Sequence, residues 1–156
     1  MKARSKEQSG QVMVLVAVVL LALIGSAALL LLAGSVEWQK DQLQELADNA
    51  ALDATFKIGI GCNAAQATAV IKEADDFLAT RRSRTGPLVF TAGTCATPYT
   101  YTDKFDGGNI TATINYPYRA HQQQVEVILT LNLPISFGSV ERINNTTVTR
   151  RALAQA

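Results

Sequence analysis

The chain has 156 residues, of which 48% are hydrophobic and 17% charged, so it is long enough for one ordinary domain and an anchoring segment. Fourteen basic residues against thirteen acidic ones give a formal net charge of +1. This balance excludes the strong basic bias that is typical of nucleic-acid binding, and we expect no nucleic-acid partner. The hydrophobic residues are concentrated near the N-terminus, so that end is interpreted first.

A stretch of 22 residues, Val12 to Ala33, contains no charged side chain. At about 1.5 Å per residue, a helix of this length covers about 33 Å, which matches a bilayer hydrocarbon core of about 30 Å. The sequence therefore predicts a transmembrane helix over 12–34. Within it lies a group of small residues that would let another apolar helix approach closely, namely Gly25, Ser26, Ala27 and Ala28.

The charges that flank this stretch predict its orientation. Lys2, Arg4 and Lys6 precede it, whereas the charges that follow it are mostly acidic. Because positive flanks stay on the cytoplasmic side, we expect a basic cytoplasmic N-terminus over 1–11 and an extracytoplasmic domain over 35–156. A cleavable signal peptide is the alternative, but its apolar region is usually about 7–15 residues long, and no clear A-x-A site closes this stretch.

Both cysteines, Cys62 and Cys95, lie in the segment predicted to be extracytoplasmic, where a disulfide can persist. A bond between them would close a loop of 34 residues and stabilise the fold by about 3 to 4 kcal/mol in the chain-entropy model. Two separate buried thiols are the alternative. We expect no metal and no cofactor, because neither cysteine has a second Cys or a His at ligand spacing and the single histidine, His121, is isolated.

The sequence predicts two helices, of which the first contains the uncharged stretch. The first should continue to about Phe56, because no proline or glycine lies between Ser35 and that residue. Its apolar positions repeat at helical spacing and form one predicted packing face, which consists of Leu43, Leu46, Ala47, Ala50, Ala51 and Ala54. The second helix is predicted from the N-cap Asn63 to about Arg82.

The second helix has charged residues away from its apolar face. The pattern assigns four of them to the exposed side, namely Lys72, Glu73, Asp75 and Asp76. Arg81, Arg82 and Arg84 cluster where this helix ends, and we interpret them as a solvated group that the helix dipole favours. A contact for anionic lipid or an acidic partner is the alternative.

The remainder of the chain predicts an antiparallel sheet. Alternating apolar and polar residues indicate strands at Tyr99 to Phe105, Ile110 to Tyr118, Val125 to Leu133 and Thr146 to Ala154, with a short further strand at Leu88 to Thr91. The expected fold is α+β, in which a long N-terminal transmembrane helix continues into a domain with a second helix and an antiparallel sheet of about three to five strands.

This arrangement is pilin-like, and the N-terminal residues make the resemblance specific. GQVMVLVAVVLLALIGSAALLLL followed by LQELADNAALDAT resembles the signature of TadE/TadG-like pilus-assembly proteins of the tight-adherence (Flp pilus) system. The matching positions are Gly10, Gln11, Val12, Leu43, Gln44, Ala47, Asp48, Ala50, Ala51, Leu52 and Ala54. The C-terminal segment from Val125 is also similar to the closing strands of that family, whereas residues 57–120 carry no recognised motif.

The resemblance implies a structural or assembly component of a tight-adherence type IV-like pilus or related secretion system, as a minor pilin or pseudopilin-like single-pass protein. It would reside in the bacterial inner membrane or enter a surface filament. Its helix would contact membrane lipid, other pilin-like subunits and platform proteins. Gly10-Gln11 is the implied processing site, but Leu15 stands at the fifth mature position, where type IV prepilins have a glutamate. TadG-like members commonly lack that glutamate, so this branch is the better match.

A membrane-tethered extracytoplasmic binding module unrelated to a filament is the alternative function, with the sheet face or the loop between Cys62 and Cys95 binding a ligand. An enzyme is disfavoured, because G-x-S-x-G, phosphate-binding glycine loops and H-E-x-x-H are absent. Asp103 and Asp106 are too few ligands for a calcium loop, and we interpret them as part of a turn. We therefore expect no catalytic residues and no small-molecule substrate.

Overall fold

In a computed structural model, residues 4–59, 63–86, 89–94, 96–119, 121, 123–134 and 145–156 are described, and the chain divides into two units between Gln39 and Lys40. Helix α1 spans Arg4–Thr55 and helix α2 spans Ala64–Arg81, followed by strands β1 (Val89–Thr91), β2 (Tyr99–Phe105), β3 (Ile110–Tyr116), β4 (Gln124–Pro134) and β5 (Asn145–Gln155). The predicted α+β fold is confirmed at this level, and the sheet has five antiparallel strands.

The first unit contains the N-terminal part of α1. From Val12 onward this helix is long and apolar enough to cross a membrane, with a mean hydropathy of 3.0 in its most apolar window. None of that window is buried; Val19 is 47% exposed and Met13 is 77% exposed. By its length and composition, this part of α1 is therefore a candidate membrane-spanning helix.

Local signals explain where the helices end. The Asn63 side chain accepts a hydrogen bond from the Gln66 backbone N–H at 2.8 Å, which satisfies one of the free donors at the start of α2. At the other end, the Arg82 backbone N–H still bonds to Leu78 O, and residue 82 itself is extended. Helix α1 ends at Thr55, a few residues before Gly59.

The sheet is a simple meander in which each strand pairs with its neighbours in the chain. The turn between β2 and β3 takes three successive positive φ angles, at Asp106 (52°), Gly107 (71°) and Gly108 (87°). Glycine adopts these angles without steric cost, and aspartate tolerates the left-handed region better than most residues. The strand predictions are confirmed, with small shifts: β3 ends at Tyr116, before Pro117, and β5 extends to Gln155.

The core of the second unit lies between the helices and one face of the sheet. Burial alternates along β2 and β3, so that every second side chain points to the helices. Helix α2 packs against β2 and β3, whereas α1 reaches β5, where the Gln44 side-chain amide donates to Arg151 O at 3.4 Å. The buried residues of α2 are Ala67, Val70, Ile71, Ala74, Asp75 and Leu78.

Candidate functional site

A buried polar cluster lies between α2 and β2, and Arg84 is its centre. The Arg84 guanidinium donates from Nε to Asp103 Oδ2 at 2.6 Å, and its second arm is paired with Asp75 Oδ2. The Tyr101 hydroxyl also donates to Asp75 Oδ2, at 3.3 Å. The side chains of Asp103 and Asp75 are 0% and 6% exposed, whereas that of Arg84 is 34% exposed. One partly exposed cation therefore holds two buried carboxylates.

The backbone explains how these three residues meet. Strand β2 alternates, so Asp103 occupies an inward position between Tyr101 and Phe105, and its Oδ1 accepts from the Lys104 N–H at 2.6 Å. The segment after α2 turns back onto the same strand: Arg84 forms an antiparallel bridge with Phe105, and Thr85 N bonds to Lys104 O at 2.9 Å. This pairing brings the Arg84 side chain back along α2 to Asp75, which precedes the end of the helix at Arg81.

Burial shifts the titration of this cluster. Desolvation raises the pKa of Asp75 to about 6, since the raising effects of burial and of the Asp103 charge outweigh the lowering effect of Arg84. Burial and then the Asp75 charge also raise the pKa of Tyr101, so its hydroxyl stays protonated and acts as a donor. The cluster therefore sets two acidic side chains, Asp75 and Asp103, against one guanidinium.

Beside the cluster lies a cleft of about 310 Å³. It is lined by Thr68, Ile71, Lys72, Asp75, Asp76, Arg84, Phe90 and Tyr101. Within the described part of the chain, Asp75 Oδ1 is buried and has no hydrogen-bond partner. Because buried polar atoms are almost always satisfied, the unpaired oxygen distinguishes Asp75 from an ordinary surface carboxylate.

The sequence pattern missed this cluster. Asp75 was assigned to the exposed side of α2, and that prediction is wrong because the residue is 4% exposed and faces Arg84. Arg84, interpreted as part of a solvated cap, keeps 34% of its side chain exposed but is paired with Asp75 and Asp103, and Arg82 is paired with Asp106 at 3.2 Å. The sequence did contain one indication of a buried acid: Asp103 lies at a position of β2 where the alternating pattern places inward-facing apolar residues.

A third buried carboxylate, Glu126, lies on the other face of the sheet. Its side chain is 5% exposed; its Oε2 accepts from the Asn115 side-chain amide at 2.8 Å, and Asn115 in turn accepts from Thr100 Oγ1 at 2.9 Å. Arg151 Nε lies 2.9 Å from Glu126 Oε1 as an ion pair without hydrogen-bond geometry. This chain of contacts ties β2, β3, β4 and β5 together across one row of the sheet.

The predicted packing face of α1 is placed inside the second unit. Its members are at most 2% exposed, with the exception of the partly buried Leu46; they are Leu43, Ala47, Ala50, Ala51 and Ala54. Gln44, one position off this face, instead bonds to Asp48 Oδ1 at 2.8 Å and to the β5 backbone. The alanines keep the helix close to the core, because each adds only a methyl group to the interface.

The small residues of the apolar stretch are exposed along α1. A Cβ atom built at Gly25 would meet nothing within 4 Å, and Ser26 Oγ is satisfied within the helix by Leu23 O at 2.9 Å. This part of α1 therefore has room for a close neighbour. Gly10 and Gln11 lie within α1, and their processing stays a prediction.

Cys62 and Cys95 both lie outside the described residues, so their bond stays a prediction. Over the described ranges, no group of three or more His, Cys, Asp and Glu side chains is arranged to hold a metal ion. In the Arg84 cluster, both carboxylates are oriented by the guanidinium.

Comparisons with protein-family models, with curated proteins and with solved structures each found no match for this chain.

Proposed function

We propose that this protein is a single-pass, pilin-like component of a tight-adherence type IV-like pilus or related secretion system. The N-terminus lies in the cytoplasm, residues 12–34 cross the bacterial inner membrane and the α+β domain is extracytoplasmic. One observation carries the proposal: the helix that contains an uncovered, membrane-length apolar stretch also supplies the buried alanine face of the folded domain. The resemblance of both chain ends to TadE/TadG-like proteins supports it.

The membrane part of α1 is the part of the helix that is available for assembly. The alanine face at Ala47, Ala50 and Ala54 is already covered by the core of its own domain. The group from Gly25 to Ala28 is exposed and small, which favours close packing with an apolar helix of another subunit. Assembly contacts are accordingly assigned to this group.

The decisive experiment separates an assembly helix from a mere anchor. In the source bacterium, the gene is deleted and surface filaments are counted by electron microscopy; a count equal to that of the parent strain would refute the proposal. A Gly25→Leu/Ala28→Leu double variant keeps the stretch uncharged and equally long but fills the close-approach surface. We expect it to restore few filaments, whereas the wild-type chain and the matched control Leu29→Ile restore them fully. Full restoration by the double variant would favour the tethered binding module.

Orientation is tested independently. A reporter that is active only outside the cytoplasm, fused after Ala156, should be active, and a reporter that works only in the cytoplasm should be silent at the same position. The reverse pattern would place the domain in the cytoplasm and remove the basis of the proposal.

A further inference from the structure

We propose that the cleft beside α2, bounded by Asp75, Ile71, Phe90 and Tyr101, binds a protonated amine carried on a short apolar stem, with the Asp75 carboxylate as its counter-charge. This site lies in the folded domain and does not depend on the proposed role of the membrane helix. Three features support this site: the shape of the cleft, the excess of acidic groups at its polar end and one oxygen without a hydrogen-bond partner.

The charge balance identifies the sign of the ligand. Three other ion pairs that involve α2 or the segments beside it each match one cation to one carboxylate, namely Lys72–Asp76, Lys57–Glu73 and Arg82–Asp106. In the cluster, by contrast, Asp75 and Asp103 share the single guanidinium of Arg84. A buried site with one excess negative charge gains most from a cation, since the ion pair forms where water screens it least.

The unsatisfied atom identifies where the cation is held. Asp75 Oδ2 already accepts from Arg84 and Tyr101, whereas Oδ1 accepts from no described residue. The Asp75 side chain is 94% buried, since 6% of it is exposed, and the residue lines the cleft. An ammonium group has donors to spare for this oxygen, and a small shift of the Asp75 side chain would expose Oδ1 to it.

The walls identify the rest of the ligand. Ile71, Phe90 and Tyr101 give the cleft apolar sides, and Phe90, which is 47% exposed, stacks near Tyr99 with ring centroids 6.2 Å apart. A volume of about 310 Å³ is at the small end of ligand sites and accommodates a stem of a few methylene groups. A lysine side chain of a partner protein and a free alkylamine share this chemistry.

Binding is measured by NMR on the full-length protein in detergent micelles, with n-butylammonium as the probe at constant ionic strength. We expect it to shift the amide signals of Asp75, Arg84 and Phe90, and Asp75→Asn should weaken its affinity at least tenfold. Glu73→Gln, which removes a partly exposed carboxylate of α2 that does not line the cleft, is the matched control and should bind as the wild type does. The neutral n-butanol and the anion butyrate should bind at least tenfold more weakly.

The pH dependence of the affinity for n-butylammonium is a second test, because a purely structural effect of the substitution would not change that dependence. The groups that interact electrostatically with Asp75 are Lys72 and Asp76 from α2, Arg84 from the following segment, the neutral Tyr101 hydroxyl and Asp103 from β2. Because the raised pKa of Asp75 is about 6, affinity for n-butylammonium should rise as the pH increases from 5 to 7, and it should stay flat in Asp75→Asn.

A third arm distinguishes the two sources of the amine. Nα-acetyl-lysine N-methylamide should bind about as tightly as n-butylammonium if a protein side chain is the natural ligand, and far more weakly if the ligand is a free amine. Equal binding of butylammonium and butanol, or an unchanged affinity in Asp75→Asn, would overturn the proposal. Either result would leave the assembly role untouched, because the filament assay does not involve this cleft.

Discussion

The buried carboxyl of Asp75 makes stability depend on pH in a defined window. Its pKa rises from an ordinary value of 3.8 to about 6 on folding, so the folded chain binds a proton more tightly than the unfolded chain does. The protonated form therefore contributes stability that is fully present below about pH 4 and is lost as the pH rises to about 6. A difference of about two pKa units corresponds to about 3 kcal/mol.

The substitution Asp75→Asn tests this reasoning, because asparagine keeps the shape and cannot ionise. The free energy of unfolding is measured by urea denaturation of the full chain in detergent, followed by the circular dichroism of the sheet, at several pH values from 4 to 8. As the pH rises from 4 to 7, the free energy of unfolding of the variant should increase by about 3 kcal/mol relative to that of the wild type. Asp76→Asn is the control, because the Asp76 side chain is 52% exposed, and it should show no such gain. Parallel pH profiles for the wild type and Asp75→Asn would refute the argument.

Two further outcomes are expected from the packing of the domain, and a third from the predicted disulfide. Ala50→Phe should lower the free energy of unfolding by about 1 to 3 kcal/mol through overpacking, whereas Leu52→Phe, at a position 56% exposed, should be nearly neutral in thermal melts; equal losses would mean that the buried face is misassigned. Arg84→Ala leaves two buried carboxylates without their cation and should destabilise the domain by about 3 kcal/mol in urea, while a loss below about 1 kcal/mol would contradict the cluster's role. Cys62 and Cys95 should resist alkylation in unfolded, unreduced protein and react only after reduction; two reactive thiols without reductant would exclude the bond.

Periodicity predicted most of the architecture because apolar spacing reports burial directly. The alanine face of α1, the extent of α2 with its Asn63 cap, and the alternating strands all come from patterns of 3.6 or 2 residues that the core enforces. Small errors at the ends, such as β3 stopping at Tyr116, reflect local breaks that periodicity does not encode.

The polar cluster could not be predicted in the same way. Its members come from α2, the segment after it and β2, and a charged residue in an amphipathic pattern is by default assigned to solvent. Asp75 is buried because Arg84, nine residues later, returns to meet it, and only the pairing of residue 84 with Phe105 brings that about. Such long-range compensation leaves no periodic trace in the sequence.

The contact between Gln44 and the backbone of Arg151 joins positions 107 residues apart and brings the first helix against the last strand. If the domain is exported in chain order behind the membrane segment, the outer part of α1 emerges before β5 is present to cover it, and the hairpins of the meander can form one after another while the alanine face is still uncovered. The core is complete only after β5 has been translocated and has paired with β4. Completion of translocation would thus be coupled to completion of folding, and a chain cut short before residue 145 would present an uncovered helix to the quality-control proteases of its compartment.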